Sequence, residues 1–306
     1  MNFSTSFFRF SKIVLVAVFL VIAAGGIVRM TQSGMGCPDW PTCFGKWIPP
    51  TNASELPPDF EHYLKQQDID HSFNALHTWT EYINRLLGAL LGLLLLVQFV
   101  WAVKLFWKNN RTIVWVCLGI LLLTGFQGWL GKRVVDANLA TVKITTHMLV
   151  ALLIALLALI IIHLQKNVTQ KIADRNLKRM TAFTIALLLL QIVLGTAVRE
   201  QVDVISKQMN YEGREYWIDK LNYIFYIHRS FSLLVGGCCI YIFLRVKKSS
   251  VSLISNGLIL VCVTTVILLG VIMAYFQVPA FAQPLHLLVS SVLFIALCNN
   301  WLNIKA

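Results

Sequence analysis

Long apolar segments that carry almost no charge recur along the chain and predict helices that cross a membrane. Each is about 20 residues long or longer, which is the length that an α-helix needs to span a hydrocarbon core of about 30 Å. The apolar positions are continuous rather than alternating with polar ones, so the pattern excludes a transmembrane β-barrel. We therefore predict an all-α polytopic membrane protein with eight transmembrane helices. The predicted spans are residues 12–30, 76–103, 112–131, 142–164, 178–199, 221–245, 251–274 and 282–303.

The composition favours the same class of protein. Apolar residues make up 57% of the 306 residues and charged residues only 13%, and the mean hydropathy is +0.70. Soluble domains carry roughly 25% charged residues. These values exclude a soluble enzyme, a disordered chain and a secreted disulfide scaffold.

The net charge of +12 is explained by the position of the basic residues. The two termini and the loops 104–111, 166–179 and 245–250 together hold 14 basic residues and one acid, Asp174, whereas the rest of the chain holds 12 basic and 13 acidic residues. Cytoplasmic loops of membrane proteins carry this kind of excess. We therefore predict that both termini are cytoplasmic, in a bacterial-type cytoplasmic membrane, and that the chain binds no nucleic acid.

The second half of the chain repeats short motifs of the first half in the same order. This repeat predicts two pseudo-symmetric four-helix bundles with the same orientation in the membrane. The first bundle comprises residues 1–170 with a large outer loop, 31–75, and the second comprises residues 171–306. The matching segments are 25–29 and 195–199, 82–85 and 226–229, and 147–150 and 286–289.

Each even-numbered span carries one histidine near its outer end: His77, His147, His228 and His286. An ionisable residue inside a membrane span is costly and indicates function, although a neighbouring helix can also satisfy a single histidine. Imidazoles on facing helices can bind a metal. Zinc would be expected to recruit carboxylates or thiolates as well, whereas heme needs one or two axial ligands and an apolar slot between helices.

Arginines and glycines near these histidines fit a heme slot but have ordinary explanations too. Arginines at the outer helix ends can pair with heme propionates or extend to the membrane interface. Glycines on these helices can leave room for a macrocycle or allow close helix packing. The arginines are Arg29, Arg85, Arg199 and Arg229, and the glycines include Gly131, Gly195 and Gly270.

These features resemble the heme A synthase family. The resemblance covers nearly the whole chain and includes the eight spans, the histidines of the even spans, the E-x-x-N/H-R segment at 81–85 and the outer-loop segment 36–45. It implies a membrane enzyme for cytochrome oxidase assembly that oxidises the methyl group of heme O to the formyl group of heme A. Two successive hydroxylations with loss of water would do this, with a heme b in the second bundle as electron-transfer cofactor and the substrate heme in the first.

The resemblance also implies partners, namely the lipid bilayer, an electron acceptor and a heme O synthase that delivers the substrate. The sequence leaves the acceptor, the oxygen source and the oligomeric state open, a homo-oligomer included. A non-catalytic di-heme b-type cytochrome is the competing function, and it would need permanent ligands in both bundles. A transporter would also suit two repeats, but the sequence has no broken-helix signature.

In this chain, Asn84 occupies the position of the histidine in the family's E-x-x-H-R motif. The internal repeat likewise aligns Asn84 with His228. The second bundle thus retains both expected heme b iron ligands, His228 and His286, with Arg199 and Arg229 assigned to the same site. The asymmetry predicts permanent heme b in one bundle and transient substrate binding in the other.

The predicted substrate-heme site contains His147, Asn84, Arg85 and Arg29. His77 precedes Asn84 by seven residues on the same helix face, about 10 Å farther outward at 1.5 Å per residue. We predict that the substrate iron binds His147 with either His77 or no second protein ligand.

Glu81 is the only carboxylate that we place within a predicted span. It can form an i,i+4 ion pair with Arg85. The alternative is a catalytic residue that accepts a proton or anchors a reactive intermediate near the heme methyl. The family resemblance implies an important role for this glutamate.

Cys37 and Cys43 lie in the outer loop with C-x5-C spacing. The outer compartment permits disulfides, so we predict a structural disulfide between them. The resemblance adds a redox role as an alternative, which the spacing alone does not favour because it is not C-x-x-C. The remaining five cysteines lie in spans and are expected to be packing residues.

Overall fold

The computed structural model describes residues 3–65, 73–135, 141–166, 171–249 and 254–305, and its regular structure is almost entirely helical. The helices are α1 (Phe3–Met30), α2 (Phe60–Lys65), α3 (Ala75–Phe106), α4 (Arg111–Val135), α5 (Thr141–Leu164), α6 (Arg175–Gln208), α7 (Tyr223–Lys247), α8 (Ile254–Tyr275) and α9 (Ala282–Leu302), with 3-10 turns at Ser33–Met35, Ala53–Glu55 and Arg214–Tyr216 and short strands β1 (Ile172–Ala173) and β2 (Ile304–Lys305).

The eight predicted spans are confirmed, since α1 and α3 to α9 are each long and apolar enough to cross a membrane. Helix α6 is longer than predicted and continues to Gln208 instead of ending at Arg199. The apolar pattern stops at the membrane, but the extension is stabilised by Val202 and Ile205, which pack with Trp217. The start of the predicted seventh span, 251–253, lies outside the described residues.

Large apolar side chains cover the outer faces of these helices. Leu20, Leu93 and Leu122 are 60%, 61% and 64% exposed. Contiguous apolar surface of this extent is unfavourable in water and is typical of faces that contact lipid. The chain is an integral membrane protein.

The chain forms two compact units, Met1–Ile162 and His163–Ala306. In the second unit, close backbone packing joins α6 with α7, α7 with α8, α8 with α9 and α9 with α6, which closes a four-helix ring. In the first unit, α1 packs on α3 and α3 on α4, but the described residues show no comparable backbone packing of α5. The two halves therefore share a helix count and differ in how closely the backbone of the fourth span approaches its neighbours. The side chains of Leu152, Ala155 and Ile161 on α5 are nevertheless buried. The predicted division into a substrate bundle and a heme b bundle stays a prediction.

Buried polar contacts join α1 to α3 in the first unit. The amide of Gln98 donates to the hydroxyl of Ser11 at 3.1 Å, and that hydroxyl donates to the carbonyl of Phe7 at 2.9 Å. The ring of Phe7 is buried and packs edge-on against Trp101, with centroids 5.7 Å apart. This contact fixes the register of α1 on α3.

Contacts between the first and last segments of the second unit stabilise its basic end. Strands β1 and β2 pair in parallel. Asp174 caps α6 by accepting from the N–H of Leu177 at 2.9 Å, and it pairs with Arg245 of α7 at 2.6 Å. The Leu177 N–H and the Arg245 guanidinium hold the pKa of Asp174 below its usual value. These contacts close the ring at the end away from the histidines.

Candidate functional site

Asn74 starts the helix that carries the predicted catalytic residue and three of the predicted substrate-heme residues. Its side-chain oxygen accepts from the N–H groups of Leu76 and His77 at 3.0 and 3.2 Å, which makes it a side-chain N-cap. His77 therefore lies in the first turn of α3. Glu81, Asn84 and Arg85 follow on the same face, one and two turns further into the helix.

Glu81 is 4% exposed and both of its carboxylate oxygens are engaged. Its Oε2 accepts from the backbone N–H of Cys37 at 2.8 Å. Its Oε1 accepts from Arg85 at 2.5 Å, which confirms the ion pair between positions i and i+4. The carboxylate thus joins α3 directly to the disulfide loop.

Arg85 donates all five of its N–H groups to protein acceptors. Two go to Glu81 Oε1, from Nε at 3.1 Å and from Nη2 at 2.5 Å. The others go to the backbone carbonyls of Asp39 at 2.6 Å, Thr42 at 3.2 Å and Cys37 at 2.8 Å. Arg85 therefore anchors the outer loop here, and its predicted contact with the substrate heme stays a prediction that would require it to release one of these acceptors.

The predicted disulfide between Cys37 and Cys43 is present, and both residues are fully buried. The carboxylate of Asp39 organises the turn between them by accepting from the Thr42 hydroxyl and from the N–H groups of Phe44 and Gly45. Gly36 packs so closely on α3 that a Cβ there would collide with the carbonyl of His77. The loop is thus fitted tightly onto the start of α3.

A cavity of about 260 Å³ opens beside this loop, with Asp39, Tyr63, Arg85 and Lys132 among its lining residues. Burial and the negative charges of Asp39 and Asp59 raise the pKa of Tyr63, so its phenol stays protonated. Two cationic side chains, Arg85 and Lys132, form part of its wall.

Three of the four predicted histidines face a glycine of the preceding long helix. A Cβ on Gly131, Gly195 or Gly270 would lie 3.5, 3.1 or 3.7 Å from Cε1 of the facing imidazole. The missing side chains create the space in which the rings lie. The facing histidines are His147, His228 and His286.

These three imidazoles have no hydrogen-bond partner at Nδ1, although that atom is buried in each of them. Buried polar atoms are nearly always paired in folded proteins. An unpaired nitrogen on three equivalent histidines therefore indicates that they bind something besides the protein.

His228 and His286 are also close enough to each other to interact electrostatically. Among the described residues, no group of three or more His, Cys, Asp or Glu side chains is arranged to hold a metal ion. A pair of imidazoles without carboxylates or thiolates would suit a heme iron better than zinc. The residues of the second unit therefore fit a heme held by His228 and His286.

Two glutamines support these histidines, and the sequence analysis did not identify them. Gln127 donates its amide to the backbone carbonyl of His147 at 2.8 Å, and Gln191 does the same to His228 at 2.9 Å. The available signal was the shared spacing, since each glutamine precedes its histidine-facing glycine by four residues. Asp39 was also missed, because a turn-organising carboxylate has no distinctive spacing.

The remaining predicted residues occupy varied surroundings. Asn84 has a buried Oδ1 without a hydrogen-bond partner. Arg199 forms an ion pair with Asp203 at 2.7 Å, and Arg229 is exposed, with its guanidinium over the ring of Tyr226. His77 and Arg29 are half-buried.

Comparison with known proteins places these features in a family. The model of the COX15-CtaA family, described as cytochrome oxidase assembly protein, matches residues 8–298. A Flavobacterium johnsoniae protein named "Heme A synthase" is 24% identical over an alignment of 323 residues, which covers 92% of this chain and 93% of that protein.

Two further relatives with the same name match over a shorter region. The Shewanella oneidensis protein is 33% identical over 187 residues, or 60% of this chain and 54% of that protein. The Mesorhizobium japonicum protein is 29% identical over 203 residues, or 61% of this chain and 54% of that protein. In these two alignments the chain spans about half the length of its relative. Since the family model covers nearly all of the sequence, the chain belongs to the COX15-CtaA family of cytochrome oxidase assembly proteins.

Proposed function

We propose that this protein is a heme A synthase, an oxidoreductase that converts the methyl group of heme O to the formyl group of heme A. The observation that carries the proposal is the set of three glycine-facing imidazoles with unpartnered Nδ1 atoms, two of them paired within one closed helix ring. The names of the relatives support the same activity.

His228 and His286 would hold heme b as a permanent cofactor, since they are close enough to interact and lie in one ring whose four helices are all closely packed. Bound there, heme b supplies one-electron transfer. The apolar helices exclude water from the site, and the predicted roles of Arg199 and Arg229 toward the propionates would require their side chains to turn from their present contacts.

The first unit would bind heme O as substrate through His147. Helix α5, which carries His147, lacks the extensive backbone packing that holds α9 in the second unit. A wider backbone spacing around a helix suits a ligand that must enter and leave. Asn84, with its unpartnered buried Oδ1, takes the place of a second imidazole and leaves the substrate more weakly held than heme b.

The chemistry would occur on the methyl carbon of the substrate. In each of two oxidations one C–H bond is replaced by C–OH with the oxygen of a water molecule, two electrons pass to the electron acceptor and two protons are released. The resulting gem-diol loses water to leave the formyl group. Glu81 would take up a proton released in these steps. Its hydrogen bonds to Cys37 and Arg85 hold the carboxylate in one orientation on α3.

The topology and partners belong to the same proposal. The excess of basic residues predicts cytoplasmic termini, and with that orientation the disulfide loop and the histidine ends of the helices would lie on the outer side. Heme O would arrive from a heme O synthase, and an electron acceptor would receive the electrons.

The decisive experiment is to purify the protein from membranes, extract its pigments and identify them by mass. We expect heme B together with heme O, heme A or a hydroxylated intermediate. Heme B alone at two equivalents per chain would instead identify a di-heme cytochrome. Absence of heme B would contradict the proposed cofactor.

A further inference from the structure

The same pair of contacts holds a histidine in each unit. On α4, Gln127 donates to the backbone of His147 and Gly131, four residues later, faces the imidazole of that histidine. On α6, Gln191 and Gly195 contact His228 in the same way. The recurrence in both halves makes an accidental contact a poor explanation.

Each of these contacts leaves two buried polar atoms without a partner. Oε1 of Gln127 and Oε1 of Gln191 are unpaired, as is Nδ1 of each histidine that the glutamine contacts. An unpaired acceptor and an unpaired ring nitrogen thus occur together at both sites. Leaving both unpaired in an apolar interior is costly.

Iron at Nε2 would account for this arrangement. An imidazole bound to metal through Nε2 carries its proton on Nδ1, and that N–H normally donates to a nearby oxygen, which fixes the ring and strengthens it as a ligand. The side-chain amide of the glutamine already contacts the backbone carbonyl of the same histidine, which makes its Oε1 the candidate acceptor for that N–H.

The third histidine provides a contrast within the chain. At the position four residues before Gly270, α8 has Val266, whose side chain has no amide. The imidazole of His286 lies beside the backbone of Val266, as the imidazole of His228 lies beside the backbone of Gln191. The two ligands proposed for heme b therefore differ, because the side-chain oxygen is available to His228 only.

We propose that Gln127 and Gln191 are positioning residues for the histidines that bind heme iron. The amide N–H of each fixes the histidine backbone against the preceding helix, and Oε1 accepts the Nδ1 proton when the iron is bound. The inference rests on the proposed function, with Gln191 acting on the heme b ligand and Gln127 on the substrate ligand.

The test compares Gln191→Met with Gln98→Met in the full-length protein. Gln98 is also a buried glutamine with an unpartnered Oε1, but it contacts Ser11 rather than a histidine. In Gln191→Met we expect about tenfold weaker binding of added heme B. The midpoint potential of the bound heme shifts to a more positive value, since the ring donates less charge to iron. In Gln98→Met we expect both quantities to match the parent protein.

Gln191→Glu keeps an oxygen at the same place, so we expect its midpoint potential to stay at the parent value or fall below it. A positive shift in this variant, or an unchanged potential and heme affinity in Gln191→Met, overturns the inference. If Gln191→Met does not fold, the midpoint potential of heme b in Gln191→Glu still tests the inference. A parent protein that binds no heme B at all would instead refute the proposed function, so the two failures are distinguishable.

The same substitution in the first unit gives an independent check. We expect Gln127→Met to bind added heme O about tenfold more weakly while the midpoint potential of heme b is unchanged. Equal heme O affinity in Gln127→Met and the parent would remove Gln127 from the proposal.

Discussion

At the scale of single residues, the carboxylate of Glu81 both holds the outer loop and is the candidate for proton transfer. Its two oxygens accept from the Cys37 N–H and from Arg85, and the side chain is almost fully buried. Removing the whole side chain of Glu81 would leave Arg85 partly unpaired. Removal of one partner of a buried ion pair is strongly destabilising. A substitution that preserves shape is therefore needed to separate the two roles.

We predict that Glu81→Gln retains heme b and keeps the outer loop on α3. Its amide oxygen can accept from one of the two donors of the carboxylate, and the bonds from Arg85 to the loop carbonyls remain, while the hydrogen bond to the other oxygen is lost. It should accumulate heme O or a half-oxidised heme, because the amide cannot take up a proton at neutral pH. The pigments are measured by extraction and mass. Normal heme A production by this variant would remove Glu81 from the chemistry, and Glu81→Ala serves as the comparison in which the loop contacts are lost as well.

A second residue-scale prediction concerns Gly195. We expect Gly195→Ala to lose most of its heme b, because the new Cβ would lie 3.1 Å from Cε1 of His228 and displace the ring. Gly25→Ala is the matched control. Gly25 has the corresponding place in the repeat, and a Cβ there meets nothing within 4 Å.

Heme b content is measured from the absorbance of the reduced protein. The same heme b content in both alanine variants would contradict the tight fit of His228 on α6. Both variants gain about 1 kcal/mol of helix propensity from replacing glycine, so a loss confined to Gly195→Ala is not a general effect of the substitution.

At the scale of elements, the outer loop is held by two independent sets of bonds. The disulfide closes the turn, and Arg85 binds three carbonyls of the same turn from α3. Because either set restrains the loop, the disulfide is not the only contact that keeps it on the helix. This redundancy supports a structural role for the cysteine pair.

We predict that the double variant Cys37→Ser, Cys43→Ser still folds, binds heme b and produces heme A. Opening so short a loop is expected to cost about 2 kcal/mol in the free energy of unfolding. Thermal unfolding and pigment analysis measure the two effects. Loss of heme A production with heme b content intact would instead favour the redox role of the pair.

The first turn of α6 gives a prediction about pH. The pKa of Asp174 is lowered in the folded state by the Leu177 N–H and by Arg245. Its ionised form therefore stabilises the fold at pH values above the unfolded pKa of about 3.9, and this contribution is lost as the pH falls through the lower folded pKa.

We expect Asp174→Ala to lower the free energy of unfolding by about 1 kcal/mol at pH 7, because a helix N-cap is lost. Asp174→Asn retains a capping oxygen and should be less destabilised. Its free energy of unfolding should also lack the loss at low pH that comes from protonation of Asp174. Thermal unfolding in detergent between pH 7 and pH 3 measures both. An identical pH dependence in the aspartate and asparagine proteins would contradict this role.

At the scale of the whole molecule, the two halves share a sequence repeat but differ in helix packing and in their histidines. The second unit is a closed ring that contains two neighbouring imidazoles. Among the described residues of the first unit, α5 has no comparable backbone packing, and Asn84 occupies the position of the repeat that corresponds to His228. The difference supports retention of a heme in one unit and exchange in the other.

We predict that Asn84→His converts the substrate heme to a low-spin form with two imidazole ligands and slows its release, so heme A production falls while heme b is retained. Absorption and electron paramagnetic resonance spectra measure the spin state. Full activity with an unchanged substrate-heme spectrum would contradict the proposed division of roles. In parallel, loss of substrate-heme binding in His77→Ala would make His77 the second ligand, and unchanged binding would leave His147 as the only histidine ligand.

Much of the architecture follows from the sequence, because a membrane imposes a simple requirement. A segment that crosses the hydrocarbon core must satisfy its own backbone hydrogen bonds and expose apolar side chains, so each span is visible as an apolar run. The disulfide and the i,i+4 pair of Glu81 with Arg85 were likewise predictable, because they depend on short separations along the chain.

Other features depended on how the helices pack. The sequence by itself determined the eight spans, the repeat and the histidines, since each is written in local composition and spacing. Only the tertiary structure decided that Arg85 binds the disulfide loop, that Gln191 supports His228 and that α5 is packed less closely than α9. Those contacts join residues that are far apart in the chain. Which atoms meet depends on the rotation of each helix and on the direction of each side chain, so composition and periodicity do not predict them.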